Sequence, residues 1–98
     1  MKKLNIMNVR RVYDCDDGKY KHHAALDNWK EDLRGRLIIV EYPSNNKILG
    51  KILNKNMYES IRGIEGNEIS ARRNKERYFW LGSVVYLLSK SEESGYLL

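Results

Sequence analysis

The chain has 98 residues, of which 42% are hydrophobic and 32% are charged, and its formal net charge is +5. This length suits one domain and excludes two, and the composition is typical of a globular protein and excludes a disordered one. Cys15 is the single cysteine, so no internal disulfide forms, and no apolar run is long enough to cross a bilayer. We therefore expect one domain over 1–98, located in the cytoplasm and without membrane contact.

The first third of the chain predicts a strand, a turn and a helix. Residues 4–13 alternate imperfectly between apolar and polar side chains, which favours a strand. In the turn, residues 14–18, aspartate side chains bond to nearby backbone amides and Gly18 accepts a positive φ. Apolar residues then recur at helical spacing over 22–34, which predicts a helix capped by Gly35. The apolar stripe of this helix consists of His22, Ala25, Leu26, Trp29 and Leu33.

The middle of the chain predicts a β-hairpin. Residues 36–42 contain a continuous apolar run, residues 37–40, which is typical of a strand buried on both faces. Residues 43–46 have turn chemistry, and residues 47–53 return as a second strand. Gly50 inside that second strand indicates a bulge or a bend.

The segment after the hairpin predicts a short helix. Asn56 and Glu59 have the spacing of a capping box, in which each side chain bonds to the other residue's backbone amide. A helix is therefore expected over about 57–62. Gly63 follows and is expected to end it.

The last third predicts further strands. Aromatic and β-branched residues favour strands at 77–81 and 84–89, with the intervening Gly-Ser pair as a two-residue type II′ turn. A strand at 68–72 would make residues 73–76 the tip of another hairpin. A single helix over 68–89 is the alternative, because it also places apolar residues on one face.

Together these elements predict an α+β domain. Its sheet is small and mostly antiparallel, or closes into an SH3-like or OB-like barrel. It contains five to six short strands, one helix over about 22–34 and one short helix over about 57–62.

The segment from residue 14 to residue 23 contains residue types that bind zinc or act in nucleophilic catalysis. These are Asp14, Cys15, Asp16, Asp17, His22 and His23. A structural zinc site usually takes paired ligands from two places, and the sequence has no second Cys or His cluster. Cys15 with a nearby histidine also lacks a recognisable oxyanion site. We therefore expect an acidic turn here, with no metal, no cofactor and no enzymatic activity.

Positive charge peaks at residues 72–77, directly before an aromatic run. Cations at a hairpin tip would contact phosphates, and neighbouring aromatic rings would stack on bases. The candidate residues for binding nucleic acid or an acidic partner are Arg72, Arg73, Lys75, Arg77, Tyr78 and Trp80, with Arg10 and Arg11 added if the fold brings them together. The alternative is a solvated charged hairpin whose aromatic residues lie in the core.

A protein-binding surface is indicated by the seven tyrosines and by the apolar end of the sequence, Tyr96, Leu97 and Leu98. Tyrosine is favoured at interfaces because one ring offers both contact area and a hydroxyl. The alternative is that the rings fill a small core.

These observations predict a small, basic, non-enzymatic interaction module. We expect an accessory or inhibitor protein that docks on a larger protein or nucleoprotein, with direct nucleic-acid binding by the basic tip as the alternative. A short chain rich in Asn, Lys and Tyr is also typical of a phage or mobile-element product. The sequence does not predict the oligomeric state.

Overall fold

A computed structural model of the protein describes residues 1–27, 32–43, 46–64 and 75–96. These parts of the chain form eight strands and one short helix. The elements are β1 Lys2–Leu4, β2 Ile6–Asp14, β3 Lys19–Leu26, β4 Leu37–Glu41, β5 Lys47–Ile52, β6 Met57–Ile64, β7 Lys75–Trp80, β8 Val84–Leu87 and α1 Lys90–Tyr96.

The strands form one antiparallel sheet with the order β1-β8-β4-β5-β6-β7-β3-β2. Its first and last strands, β1 and β2, are separated in the chain by Asn5 alone. Leu4 and Ile6 are therefore at most about 7 Å apart, so the two ends of the sheet meet there and the sheet must curl. The predicted small, antiparallel, barrel-like α+β fold is confirmed, with more strands than expected.

The inside of the curl holds the larger apolar cluster. Strands β3 to β8 each contribute to it, and its buried members are Ala24, Leu26, Leu33, Ile38, Val40, Ile52, Tyr58, Phe79 and Val85. Tyr58 and Phe79 are fully buried, and their ring centroids lie 4.9 Å apart. Burial of this apolar area is what favours the curled sheet over a flat one.

A second apolar cluster lies on the other face of the sheet. It contains Leu37, Ile39, Leu49, Ile64 and Leu88, with Tyr96 of α1 packed against it. Arg62 Nη2 donates a hydrogen bond to the backbone oxygen of Tyr96 at 2.8 Å. Because β4 alternates between the two clusters, its continuous apolar run is buried on both faces, as predicted. No helical segment in the described parts of the chain has the length and apolar character needed to traverse a membrane.

Several local predictions are confirmed. The first strand forms, with an interruption at Asn5, and the acidic turn follows it. In that turn Gly18 has a φ of 69°, and its amide donates to the backbone oxygen of Asp14 at 2.9 Å. The β4–β5 hairpin forms with Glu41 opposite Lys47, and the ladder between β5 and β6 shifts register at Gly50.

The predicted helix over 22–34 is wrong for residues 22–26, which belong to β3, and for residues 32–34, which are not helical. Consecutive residues 23–26 are all buried there: Ala24 and Leu26 lie in the larger apolar cluster, and His23 packs against aromatic rings on the other face. A run buried on both faces satisfies helical spacing as well as strand spacing. Residues 28–31 lie outside the described residues. Gly35 has a φ of 82°, as expected, but its amide donates to Ile52 and not to a helix carbonyl.

The predicted helix over 57–62 is also wrong, because these residues form part of β6. Tyr58 and Ser60 are fully buried, which is the two-residue period of a strand. The capping box does not form: the Asn56 amide instead donates to the side chain of Asn54 at 2.8 Å. β6 pairs on both edges, with β5 and with β7, and those ladders outweigh the weak local signal.

The predicted hairpin of strands 77–81 and 84–89 is wrong in its pairing. Both strands exist, and between them Gly82 has a φ of 96°. However, β7 pairs with β6 and β3, whereas β8 pairs with β4 and β1. The Gly-Ser pair is thus a corner between two regions of the curled sheet. The predicted strand 68–72 lies outside the described residues, and α1 occupies a stretch for which no helix was expected.

Candidate interaction surface

A two-stranded ribbon, which we define as residues 6–26 (β2, the acidic turn and β3), extends beyond its neighbouring strand β7. β3 pairs with β7 only at His23 and Ala24. The ribbon therefore continues past the sheet for the four further residue pairs from Arg11 with His22 to Asp14 with Lys19. Along this stretch β3 pairs with β2 alone in the described part of the chain.

The ribbon carries most of the large apolar side chains that are exposed. Seven such side chains lie in the described parts of the chain, and four of them are on the ribbon: Met7, Val9, Tyr13 and Tyr20, each 51–58% exposed. A fifth, Tyr78 of β7, lies beside it at 38%. Single exposed apolar residues need no explanation, but a concentration of them marks an interaction site.

One face of the ribbon joins an aromatic cluster on the outside of the sheet. Residues directly opposite each other in paired strands share a face, and the register places Arg10 opposite His23 and His23 opposite Trp80. The His23 ring stacks on Tyr78, with centroids 4.2 Å apart, and lies 4.3 Å from the ring of Trp80. Lys21 Nζ is 5.4 Å from the centroid of Trp80. Cations and aromatic rings thus alternate over this face.

Burial affects the chemistry of His23. Only 7% of this residue is exposed, and desolvation lowers the pKa of its imidazole, with a further contribution from the charge of Arg10. The ring is therefore neutral at physiological pH. The uncharged His23 ring packs against the rings of both Tyr78 and Trp80 and restricts their orientations.

The opposite face of the ribbon carries a second row of aromatic contacts. The guanidinium carbon of Arg11 lies 3.9 Å from the centroid of Tyr20. The rings of Tyr13 and Tyr20 meet edge to face at 5.1 Å. These contacts hold exposed side chains in defined positions, and side chains ordered in advance lose less entropy in any association.

The tip of the ribbon is held by an ion-pair network. Lys21 Nζ lies 2.7 Å from Asp14 Oδ2 and 2.8 Å from Asp17 Oδ2. Hydrogen bonds from Lys21 lower the pKa of both carboxyls, and the same bonds raise the pKa of the lysine. The network therefore favours one conformation of the turn.

Two clefts flank the aromatic face. One, of about 340 Å³, has walls that include Lys21, Tyr42, Pro43 and Trp80. The other, of about 380 Å³, has walls that include Val9, Arg10, His23, Met57 and Tyr78. The extra residue of a bulge between Asn8 and Arg10 brings Val9 and Arg10 to the same cleft. The surface beside the ribbon is thus concave, while the ribbon itself protrudes.

The predicted basic tip is divided by the strand geometry. Lys75 and Arg77 lie in β7, and Arg77 pairs with buried Tyr58, whereas Tyr78 and Trp80 alternate to the outer face. Arg72 and Arg73 lie outside the described residues. Of the predicted cations, the structure brings Arg10 to the face of Tyr78 and Trp80. Arg11 lies on the opposite face of the ribbon, over Tyr20.

The residues considered for metal binding or catalysis are spread along the ribbon. Cys15 is exposed in the turn, and His22 lies opposite Arg11, three positions along the strand from Asp14 or about 10 Å away. His23 faces the aromatic cluster. Within the described ranges no three His, Cys, Asp or Glu side chains lie close enough to hold a metal ion.

The predicted protein-binding end is placed in part. Tyr96 is half-buried against the second apolar cluster, and its carbonyl is held by Arg62. Leu97 and Leu98 lie outside the described residues. Whether Tyr96 binds a partner stays a prediction.

Sequence reasoning missed the ribbon residues Met7, Val9, Tyr13, Tyr20 and Lys21. The sequence did contain a signal for this hairpin. Val12 and Tyr13 precede the turn and Tyr20 follows it, with Tyr13 and Tyr20 at equal distances from the centre of the turn. Such mirrored residues flanking an Asp-Gly turn are typical of a hairpin. The competing helical spacing after residue 22 concealed this signal.

Comparison with known proteins gives no match: no family model fits the sequence, and no curated protein or solved structure matches it.

Proposed function

We propose that this chain is a non-enzymatic interaction module that binds a larger protein through its ribbon, as an accessory or inhibitor of that protein. The observation that carries the proposal is the concentration of exposed Met7, Val9, Tyr13 and Tyr20 on the ribbon, with Tyr13 and Tyr20 in the part that extends past the sheet. Interfaces are enriched in tyrosine and methionine, and a few aromatic anchors supply most of their binding energy.

The ribbon also has the charge needed to select a partner. Arg10 and Arg11 are exposed at its base, and arginine is the cation that interfaces favour. An acidic partner surface would be attracted to them, which raises the association rate more than the final affinity. The apolar side chains would provide the affinity and the arginines the orientation.

The test is affinity capture from a lysate of the source organism, treated with nuclease, using three forms of the full chain. The ribbon variant combines Val9→Ser with Tyr20→Ala. Its matched control is Leu81→Ala, which removes an apolar side chain that is 48% exposed but lies off the ribbon. Thermal unfolding of each form establishes that it is folded.

We expect the natural sequence and the Leu81→Ala control to retain the same partner in stoichiometric amounts. The ribbon variant should lose it at least about tenfold, because two anchors of about 1 kcal/mol each are removed. Equal capture by the ribbon variant and the control would overturn the proposal.

Direct nucleic-acid binding is a second candidate, supported by the outer face. Tyr78 and Trp80 both lie there, each against the ring of His23, with the cations of Arg10 and Lys21 on the same face. Cations along a backbone track combined with stacking rings are the means by which proteins bind single strands.

Fluorescence anisotropy with labelled single- and double-stranded DNA and RNA tests this candidate. It requires binding that persists at about 0.15 M salt and that falls when Arg10 and Lys21 are both changed to Ala. If the predicted basic tip acts instead, the combined Ala variant of Arg72, Arg73, Lys75 and Arg77 should lose affinity and flatten the salt dependence. Absence of binding in every arm would remove nucleic acid as a partner.

A further inference from the structure

The outer edge of β2 is free in the described parts of the chain. β2 is the last strand of the sheet order and pairs only with β3. Its outward backbone amides and carbonyls therefore have no strand to bond to, and such edges pair readily with another chain. After the bulge at Val9, the stretch from Arg10 to Asp14 pairs with β3 without further shifts, so it offers five regular residues.

Charge is distributed unevenly along this edge. Arg10 and Arg11 make the base of the regular stretch positive. Residues 14–21 at the tip carry three aspartates and two lysines, a net charge of −1. A strand laid antiparallel to β2 with the same distribution would therefore place its positive base against this negative tip, and its negative tip against this positive base.

We infer that two copies of this chain associate edge to edge along β2, antiparallel and two-fold symmetric, with Val12 opposite Val12 of the second copy. In this register Arg10 lies opposite Asp14 of the second copy, and the reciprocal pair forms as well. Arg11 lies opposite Tyr13 of the second copy, where a guanidinium can rest on the ring as Arg11 already does on Tyr20. The five regular residues are thus self-complementary about Val12.

The neighbouring symmetric registers are less favourable. Moving the centre one residue towards the base places Arg11 opposite Arg11 of the second copy, and like charges directly opposite are destabilising. Moving it one residue towards the tip places Arg10 opposite Asp16, which lies in the turn and outside the strand. Only the Val12-centred register uses the whole regular stretch and pairs opposite charges.

This association uses backbone groups of the edge and leaves the faces of the ribbon open. Val9 lies outside the paired stretch, and Tyr20 belongs to β3. Arg10, Arg11 and Tyr13 take part in both proposals, whereas Val9 and Tyr20 take part only in the binding of a larger protein. The variant that combines Val9→Ser with Tyr20→Ala should therefore lose the larger partner and keep the dimer, which distinguishes the failure of one proposal from the failure of the other.

Sedimentation equilibrium of the full chain over about 10 µM to about 1 mM tests the association. We expect a monomer–dimer equilibrium whose dissociation constant rises by about tenfold or more in Arg10→Asp. The two-fold symmetric dimer contains two Arg10–Asp14 pairs, and the substitution replaces both with like charges. The matched control is Lys3→Asp, which makes the same charge change at an exposed position of β1. A chain that stays monomeric throughout, or a dimer that both variants weaken equally, would overturn the inference.

Disulfide cross-linking tests the register, in a Cys15→Ser background so that the native thiol does not take part. Directly opposite Cα atoms are about 4.5–5.5 Å apart, within reach of a disulfide, whereas diagonal pairs lie about 7–8 Å apart. We expect Val12→Cys to form an intermolecular disulfide under mild oxidation much faster than Tyr13→Cys does. Equal rates at the two positions would contradict the Val12-centred pairing.

Discussion

Gly50 lies so close to the Tyr58 ring that no side chain fits there. A Cβ added there would lie 2.8 Å from Cδ2 of Tyr58 and 3.3 Å from the backbone oxygen of Glu59. Tyr58 is fully buried and its hydroxyl bonds to that of Tyr42, so the ring has no room to move away. The absence of a side chain at this point lets β5 and β6 pair directly over the Tyr58 ring.

We expect Gly50→Ala to lower the free energy of unfolding by about 1–3 kcal/mol, the usual cost of overpacking. Gly95→Ala is the control, because a Cβ there meets nothing within 4 Å and Gly95 lies in α1. That change should be neutral or stabilise by up to about 1 kcal/mol. Denaturant unfolding measures both, and equal effects of the two substitutions would contradict the packing described.

His23 makes stability depend on pH. Its pKa is lowered in the folded state from an ordinary value of 6.5, first by burial and then by Arg10. The unfolded chain therefore takes up a proton at higher pH than the folded chain does. The stability that His23 contributes is complete above 6.5 and falls as the pH drops below it.

We expect the free energy of unfolding to decrease between about pH 7.5 and about pH 5.5, and His23→Gln to flatten that decrease. The carboxyls with lowered pKa, such as Asp14 and Asp17, titrate below this window and do not contribute to it. Denaturant unfolding at a series of pH values gives the slope. If the free energy of unfolding of His23→Gln has the same pH dependence as that of the natural sequence, groups other than His23 cause it.

At the scale of elements, the ribbon tip is stabilised locally by Lys21. Lys21 forms ion pairs with Asp14 and Asp17 of the turn. Within that turn the Gly18 amide donates a hydrogen bond to the backbone oxygen of Asp14. We expect Lys21→Ala to speed hydrogen exchange at Gly18 by several-fold while leaving the midpoint of global unfolding almost unchanged, since exposed ion pairs contribute little to global stability. Hydrogen exchange followed by NMR measures this. A large loss of global stability would mean that the tip is part of the core folding unit.

The helix α1 covers the second apolar cluster, and Tyr96 is its main contact there. We expect Tyr96→Ala to lower the free energy of unfolding by about 1–2 kcal/mol, the range for losing a half-buried aromatic contact. Partner capture should be unchanged. A variant that stays fully stable but loses the partner would instead support the binding role predicted for Tyr96 from the sequence.

Elements whose signals are local could be predicted from the sequence, and elements set by distant pairing could not. The acidic turn with Gly18, the β4–β5 hairpin and the irregularity at Gly50 all depend on residues within a few positions of each other. The end of β3 was predicted as a helix because a strand covered on both sides shows no clean two-residue period. β6 was predicted as a helix because Asn56 and Glu59 have the spacing of a capping box, which does not form. Their strand state is decided by ladders to β7, which is distant in sequence from β3.

The candidate site was predictable only in its composition. Cations and aromatic residues were expected to meet, but alternation along β7 sends Arg77 and Tyr78 to opposite faces. Of the predicted cations, Arg10 joins the aromatic face, and it comes from a distant part of the sequence through the β2–β3 and β3–β7 pairings. Such a meeting depends on the strand order of the whole sheet, which no local pattern encodes.

At the scale of the whole molecule, large apolar side chains are buried in some parts of the fold and exposed in others. The curled sheet and α1 enclose two apolar clusters, while the ribbon keeps its large side chains in solvent. A chain that needed only stability would gain by making those positions polar, since exposed apolar patches promote association. The proposed function accounts for these exposed side chains, which the packing of the two clusters does not require.

The measurement that tests this account most directly is hydrogen–deuterium exchange of the full chain with and without its captured partner. We expect the partner to slow exchange in the ribbon, above all at residues 7–13 and 19–23, and to leave α1 and the neighbouring β4–β5 hairpin unchanged. Protection confined to the α1 side of the sheet, with none in the ribbon, would contradict the central claim.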